Sequence, residues 1–366
     1  MQPRTHPERL PNLDALRFLA FLGVMLAHVY NVSMEHTQNE TLYTFYMRCK
    51  YGVWGVNFFF VLSGFLITRL LLNETAQFGK PRLTKFYKRR VLRIWPVYFI
   101  VLVGAAAHYT LMNVQDTNTH WWYFLLFGGN YHILFEGYPY SPSLASLWTI
   151  AVEEQFYLVC PLAVLLFQKR IAWFALLIVA ISAAFRFTVI TTMLSDKHLY
   201  FDTLSVMNDL AIGMFLAGVT QRLGADSVRI NGLVQGLIGA ALLLSVWWFE
   251  RVDDRTFSAM AERVVLALFF AWVVFQQVFV SNKGINLHLL PGFNYFGKIS
   301  YGLYMYHMFA LQLVYFLFER FGVSFSGVNG LAAFPASVLV VTSIAGGVSF
   351  ELFEKKILRL KHRWAA

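Results

Sequence analysis

The sequence predicts an all-α, polytopic membrane protein with about ten transmembrane helices. Hydrophobic residues make up 58% of its 366 residues and charged residues only 14%, which leaves too little polar surface for a soluble protein of this length. Apolar windows of about twenty residues recur along the chain, and each is long enough to cross the hydrocarbon core of a bilayer. We therefore expect a single integral-membrane domain over residues 1–366, with no internal repeat and no linker that divides it.

Ten windows qualify as transmembrane helices, and polar connections separate them. Their approximate bounds are 13–32, 52–72, 90–112, 147–167, 171–192, 204–220, 231–249, 261–280, 298–319 and 329–352. The segment 121–135 is aromatic but too short to cross a bilayer, so we expect it to be an interfacial or re-entrant piece.

The distribution of lysine and arginine predicts that both termini are cytoplasmic. Nineteen of these residues fall in the termini and in loops of one parity, and seven fall in the alternate loops. Cationic loops stay on the cytoplasmic side, so we expect an even number of spans in a bacterial inner membrane. The net charge of +10 is then a topology signal, and it gives no reason to expect a nucleic-acid partner. The two cysteines, Cys49 and Cys160, have no metal-binding spacing, and we expect no metal.

The ionisable side chains within the spans call for an explanation, because placing a charge in the hydrocarbon core of a bilayer costs free energy. Arg17 and His28 are eleven residues apart in the first predicted helix, which is close to three turns. Both side chains therefore project from nearly the same face, about 16 Å apart along the axis. Taken alone, Arg17 is equally well explained as a snorkelling anchor and His28 as a packing residue. Together on one face, they favour a lined passage.

Three further arginines are predicted at the cytoplasmic ends of the second and third spans, namely Arg69, Arg90 and Arg93. With Arg17 they would form a cationic mouth suited to phosphate groups, which guanidinium binds in bidentate fashion. Anchoring by positive residues at the membrane surface is the alternative, and it explains the deeper Arg93 least well.

Two carboxylates, Glu153 and Asp209, fall at a depth similar to that of His28, near the outer face. A carboxylate can orient a neutral imidazole and stabilise its charged form while the ring accepts a proton from a hydroxyl. A buried polar cluster that only holds helices together is the alternative. Glu154 projects from a different face from Glu153, so we expect at most one of the two in the chemistry.

Five segments, in this order, resemble the acyltransferase-3 family of bacterial membrane proteins: LDALRFLAFLGVMLAH, GVNFFFVLSGFLI, FYKRRVLRIWPVY, SLWTIAVEEQFYLVCP and ISYGLYMYH. The resemblance covers about residues 10–310, and the last span fits it in hydropathy. It implies transfer of an acyl group, usually acetyl, from cytoplasmic acyl-coenzyme A to a hydroxyl of a glycan or glycosylated acceptor such as a surface polysaccharide. The chain resembles the stand-alone members, which carry no fused esterase-like domain.

The resemblance also implies roles for individual residues. His28 is expected to be the general base, oriented by Glu153, with an acetyl-histidine relay as the less favoured route. The expected coenzyme A-binding residues are Arg17, Arg69, Arg90 and Arg93. The candidates for the acceptor site or its support are Asp209, His307, Trp121 and Tyr157. Members of the family often read Arg-x-Asp where this chain has Met207, Asn208 and Asp209, which leaves the role of Asp209 open.

Other functions compatible with the sequence are a transporter or flippase, whose charges would line a substrate path, and a non-catalytic scaffold. Within the enzyme class, succinyl or another short acyl group could replace acetyl. The segment 113–146, rich in Tyr, Trp and His, is the best candidate to stack on a sugar ring, and an interfacial aromatic belt is the alternative explanation for it.

Overall fold

A computed structural model describes residues 11–34, 40–192, 194–249, 251, 255–284, 286, 289–327 and 329–364. Over these residues the regular structure is helical, apart from one isolated β-bridge between Val228 and Val280. The all-α class predicted from composition is confirmed.

The α-helices follow one another along the whole described chain. In order they are α1 (Pro11–Met34), α2 (Glu40–Cys49), α3 (Trp54–Phe78), α4 (Leu83–Leu111), α5 (Trp121–Leu125), α6 (Gly129–Phe135), α7 (Pro142–Ala145), α8 (Trp148–Phe167), α9 (Ile171–Thr191), α10 (Lys197–Phe201), α11 (Thr203–Val219), α12 (Gly232–Phe249), α13 (Arg255–Phe279), α14 (Phe293–Lys298), α15 (Ser300–Arg320), α16 (Phe334–Ser349) and α17 (Lys355–Trp364). A π-helical turn precedes α16 (Asn329–Ala333) and another follows it (Phe350–Glu354).

Each of the ten predicted spans coincides with one long helix of the described chain: α1, α3, α4, α8, α9, α11, α12, α13, α15 or α16. By length and composition, eight continuous helical stretches can cross a membrane, and one of these, Pro142–Thr191, contains both α8 and α9. Helix α15 is not among the eight, because four tyrosines and His307 lower its hydropathy.

The aromatic segment 121–135 is not a span but forms the short helices α5 and α6. Asn130 and His132 are buried, so α6 packs into the bundle. Asn130 Nδ2 donates hydrogen bonds to the backbone oxygen of Phe201 (3.1 Å) and to Thr203 Oγ1 (3.0 Å). These bonds attach the segment to the junction of α10 and α11.

Helix α3 organises the centre of the bundle, because α11 packs against one of its faces and α8 against another. The contact with α11 is close: a Cβ at Gly64 would lie 2.0 Å from the backbone oxygen of Leu210, and a Cβ at Gly213 would lie 2.0 Å from that of Val61. Small residues allow helix backbones in membranes to approach in this way. The contact fixes the rotation of α3 about its axis and leaves Ser63 facing α8.

Candidate active site

An open cavity of about 160 Å³ lies between α1, α3, α4, α8 and α15. Its polar lining consists of Arg17, Ser63, Arg90, Arg93, Thr149, Glu153, Tyr157, Ser300, Tyr301 and Tyr304, and the rest of its wall is apolar. Concave sites whose apolar walls carry convergent polar groups are typical places for small molecules to bind. We call this site the arginine cavity.

Three guanidinium groups from two helices converge on the arginine cavity. Arg17 comes from α1, whereas Arg90 and Arg93 share a face of α4 because they are three residues apart. Arg17 Nη1 donates to Asp14 Oδ1 at 2.5 Å. The guanidinium of Arg90 lies 5.6 Å from the ring centroid of Tyr157. The structure thus brings these three predicted arginines together.

Glu153 lies in the same cavity, on α8. Its Oε1 accepts a hydrogen bond from Ser63 Oγ (2.6 Å) and its Oε2 accepts one from Tyr157 Oη (3.1 Å). The prediction that Glu153 lies beside His28 is therefore wrong, because α8 turns this carboxylate toward α3 and the arginines. The part of the cavity wall that the structure describes thus contains three guanidinium groups and one carboxylate, that of Glu153.

His28 lies on the same helix as Arg17, five residues before the end of the apolar stretch Asn12–Ser33. Its neighbouring ring is that of His307 on α15, with the two centroids 5.4 Å apart and the planes tilted by 43°. His307 is fully buried, and its Nδ1 is hydrogen-bonded to the backbone oxygen of Tyr304. The other nitrogen of His307, Nε2, has no hydrogen-bond partner within the described chain. We call His28 and His307 the imidazole pair.

Tyr304 touches both the arginine cavity and the imidazole pair. It contributes to the wall of the cavity, and its ring centroid lies 5.3 Å from that of His307. Its hydroxyl accepts a hydrogen bond from Thr149 Oγ1 (2.9 Å) and donates one to the backbone oxygen of Ser146 (3.3 Å). Among the described residues, His28 is not part of the cavity wall, whereas Tyr304 contacts both that wall and the ring of His307.

Asp209 belongs to a different cluster, on the side of α3 that faces α11 and α13. Its Oδ2 accepts hydrogen bonds from Asn57 Nδ2 (2.8 Å) and from Arg263 Nη2 (2.7 Å). The prediction that it shares a site with Glu153 is wrong, because α3 lies between the two carboxylates. Arg263 is part of α13, and its side chain is only 12% exposed. We call Asn57, Asp209 and Arg263 the paired cluster.

Two more candidates also lie outside the arginine cavity. The guanidinium of Arg69 lies 4.8 Å from the ring centroid of Phe279 and 5.7 Å from that of Phe65. Arg69 and Phe65 are four residues apart and share a face of α3, and this face is turned toward α13, so Arg69 is not in the predicted cationic mouth. Trp121 packs edge-to-face on Tyr109, at a centroid distance of 5.4 Å.

Sequence reasoning missed part of the cavity wall, including Ser63, Thr149, Tyr301 and Tyr304. One signal was present: Tyr301, Tyr304 and His307 recur at intervals of three residues, which places them along one face of α15. Tyr301 Oη donates a hydrogen bond of 2.8 Å to the backbone oxygen of Ile94, and this bond joins that face of α15 to α4.

Comparison with known proteins gives the family. The family profile described as "Acyltransferase domain" matches residues 10–349, and the match therefore includes the last span. The chain is 27% identical to "Putative O-acetyltransferase SACOL0978" of Staphylococcus aureus strain COL over an alignment of 332 residues. This alignment covers 84% of this chain and 51% of that protein. It is 26% identical over 325 residues to "O-acetyltransferase OatA" of Staphylococcus aureus strain NCTC 8325 / PS 47, covering 82% of this chain and 50% of that protein.

The chain thus spans about half the length of the curated relatives that it matches. No solved structure matches it significantly. The family profile covers more than nine-tenths of the sequence, and the helices described above are those of a multi-pass membrane protein. The chain therefore belongs to the acyltransferase-3 family.

Proposed function

We propose that the protein transfers an acetyl or other short acyl group from cytoplasmic acyl-coenzyme A to a hydroxyl of a glycan or glycosylated acceptor. It would act in a bacterial inner membrane, with both termini in the cytoplasm. The observation that carries the proposal is a cavity with an excess of guanidinium groups that adjoins a pair of imidazoles through one tyrosine. The names of the two O-acetyltransferases from Staphylococcus aureus support the same reaction.

The arginine cavity fits the donor. Coenzyme A carries phosphate groups, and Arg17, Arg90 and Arg93 offer planar donor groups that bind phosphate in bidentate fashion. The apolar part of the wall suits the pantetheine arm, which would extend from the arginines toward Tyr304. A displacement of the Tyr304 side chain would then open the way for the thioester to the imidazole pair.

His28 supplies the general base in this proposal. It accepts the proton of the acceptor hydroxyl while the hydroxyl oxygen attacks the thioester carbonyl carbon. The carbon–sulfur bond then breaks, and the proton on His28 passes to the departing thiolate, so that the products are the ester and free coenzyme A. An acyl-histidine intermediate on His28 would give the same products in two steps.

The acceptor would enter beside the segment 113–146. The aromatic side chains of Trp122 and Tyr138 are more than half exposed there, at 54% and 62%. Exposed aromatic rings can cover the apolar face of a sugar while their polar atoms stay in water. Trp122 belongs to the short helix α5, and Tyr138 packs edge-to-face on Phe201.

Thiol release by the purified protein tests the proposal. The protein in lipid nanodiscs receives acetyl-coenzyme A with a panel of envelope glycans, and free thiol and acetylated glycan are measured together. We expect equal amounts of both products from at least one glycan. A protein that binds or moves glycans but releases no thiol with any acyl-coenzyme A would be a transporter or flippase instead.

A further inference from the structure

One buried ring nitrogen of the imidazole pair, Nε2 of His307, has no hydrogen-bond donor next to it in the described chain. His307 Nδ1 is bonded to the backbone oxygen of Tyr304, and a carbonyl oxygen can only accept a hydrogen bond. The proton of a neutral His307 therefore resides on Nδ1, and Nε2 carries a lone pair. This Nε2 is buried, without a hydrogen-bond partner in the described chain, in a side chain of 0% exposure. Such unsatisfied groups are rare in folded proteins and call for an explanation.

Only one of the rings around His307 can supply a donor. The contacting rings are those of Phe21 (6.1 Å between centroids), Tyr304 (5.3 Å) and His28 (5.4 Å). Phe21 has no polar atom, and the hydroxyl proton of Tyr304 is already donated to Ser146. His28 has a ring N–H, and it makes no hydrogen bond with the residues that the structure describes.

The residue expected to orient His28 is engaged elsewhere. Both carboxylate oxygens of Glu153 accept hydrogen bonds inside the arginine cavity, one from Ser63 and one from Tyr157. A histidine base needs a partner for its second nitrogen, because that bond decides which nitrogen carries the lone pair. His307 has the required chemistry and is the ring next to His28.

We propose that His307 is the positioning residue of His28: a rotation of the His28 side chain brings one of its ring nitrogens to Nε2 of His307, which accepts a hydrogen bond from it, so that the other nitrogen faces the acceptor hydroxyl. The inference rests on the proposed function. During transfer the hydroxyl proton passes to the free nitrogen of His28 and then to the leaving thiolate, and His307 stays neutral throughout. A neutral partner fixes the tautomer of His28 without adding a charge to the membrane interior.

Two amide variants separate this role from a structural one. In His307→Gln the amide reaches the position of Nε2 and offers an oxygen to His28, whereas in His307→Asn it reaches only the position of Nδ1 and keeps the bond to Tyr304. We expect His307→Asn and His307→Phe to lower kcat by about 100-fold, the upper end of the range for residues that orient a reacting group, with KM for acetyl-coenzyme A unchanged. His307→Gln should retain at least about one-tenth of wild-type kcat.

A kcat for His307→Asn equal to or above that of His307→Gln would overturn the proposal, whether both variants are active or inactive. Nitrogen-15 NMR of labelled histidine, in nanodiscs without substrate, tests it independently of turnover. We expect one neutral tautomer of His28 in wild type and in His307→Gln, and a mixture in His307→Asn. A mixture already present in wild type would also overturn it. Absence of thiol release from wild type would instead defeat the proposed function, and the NMR comparison would still decide the role of His307.

Discussion

The arginine cavity and the paired cluster lie on opposite sides of α3, and both contain buried charges, but they differ in the space around those charges. In the paired cluster the carboxylate of Asp209 meets the guanidinium of Arg263 at 2.7 Å and is further bonded by Asn57. In the arginine cavity three guanidinium groups and the carboxylate of Glu153 line an open volume. A buried charge with its partner in contact holds helices together, whereas charged groups around an open volume are suited to a ligand.

The strongest test removes His28, the proposed general base. Replacing His28 by Ala should lower acetyl transfer by about 10³-fold, within the range for loss of a general base, without changing the amount of protein in the membrane. Thiol release and acetylated glycan are the measurements. His198→Ala, on the short helix α10, is the matched control and should retain wild-type activity. Transfer by His28→Ala at a rate close to that of wild type would remove this residue from the mechanism.

Breaking the paired cluster should affect stability instead of donor binding. Asp209→Ala leaves the guanidinium of Arg263 buried without its carboxylate, which we expect to reduce the free energy of unfolding by about 3–5 kcal/mol. Thermal unfolding in nanodiscs gives the change, and the dissociation constant for acetyl-coenzyme A of the folded protein should stay the same.

The ion pair between Lys283 and Asp226 provides the control for Asp209→Ala, because the Asp226 side chain is 57% exposed. Asp226→Ala should change the free energy of unfolding by less than about 1 kcal/mol. Equal effects of the two substitutions would show that the paired cluster does not hold the helices together.

Substitutions of Arg93 and Arg69 compare an arginine of the cavity wall with one that lies outside it. Arg93→Ala should raise the dissociation constant for acetyl-coenzyme A by about 10- to 100-fold, the equivalent of one or two charge-assisted hydrogen bonds. Arg69→Ala should change this dissociation constant by less than about twofold, because Arg69 lies over Phe279, away from the cavity, and would not contact the phosphates. Calorimetry with each variant measures the constant. Similar losses of affinity for acetyl-coenzyme A in the two variants would indicate that both arginines belong to one site.

The smallest effect is expected at Glu153. Glu153→Gln keeps an acceptor for Ser63 or Tyr157 but removes a negative charge from the arginine cavity. Acetyl-coenzyme A should therefore bind about two- to fivefold more tightly, because a charge that repels its phosphates is gone. The turnover number should change by less than about tenfold, since in our proposal His28 is oriented by His307 and not by this carboxylate. A large loss of turnover with unchanged binding would restore the role of Glu153 as the residue that orients His28.

The sequence was sufficient for the helices, because span length and hydropathy are local properties that neighbouring helices hardly change. Arg90 and Arg93 could be assigned to one face for the same reason, since three residues nearly complete a turn. These local rules account for the arginines that meet in the cavity.

The rotation of one helix against another could not be predicted in this way. It depends on close contacts between residues distant in sequence, such as that of Gly64 with the backbone of Leu210. This rotation sends Glu153 toward Ser63 and away from His28, and it puts Asp209 on the far side of α3. Residue counting gave these side chains a common depth, but a common depth does not make them neighbours.

Tyr304 also bears on the permeability of the membrane. An enzyme that takes its donor from one side of a membrane and its acceptor from the other has two entrances, and a permanent opening between them would dissipate ion gradients. In the proposed reaction Tyr304, held by hydrogen bonds to Thr149 and Ser146, would close the route between the two entrances while no donor is bound. The Tyr304 side chain would then move aside only while the acyl arm fills the space that it leaves.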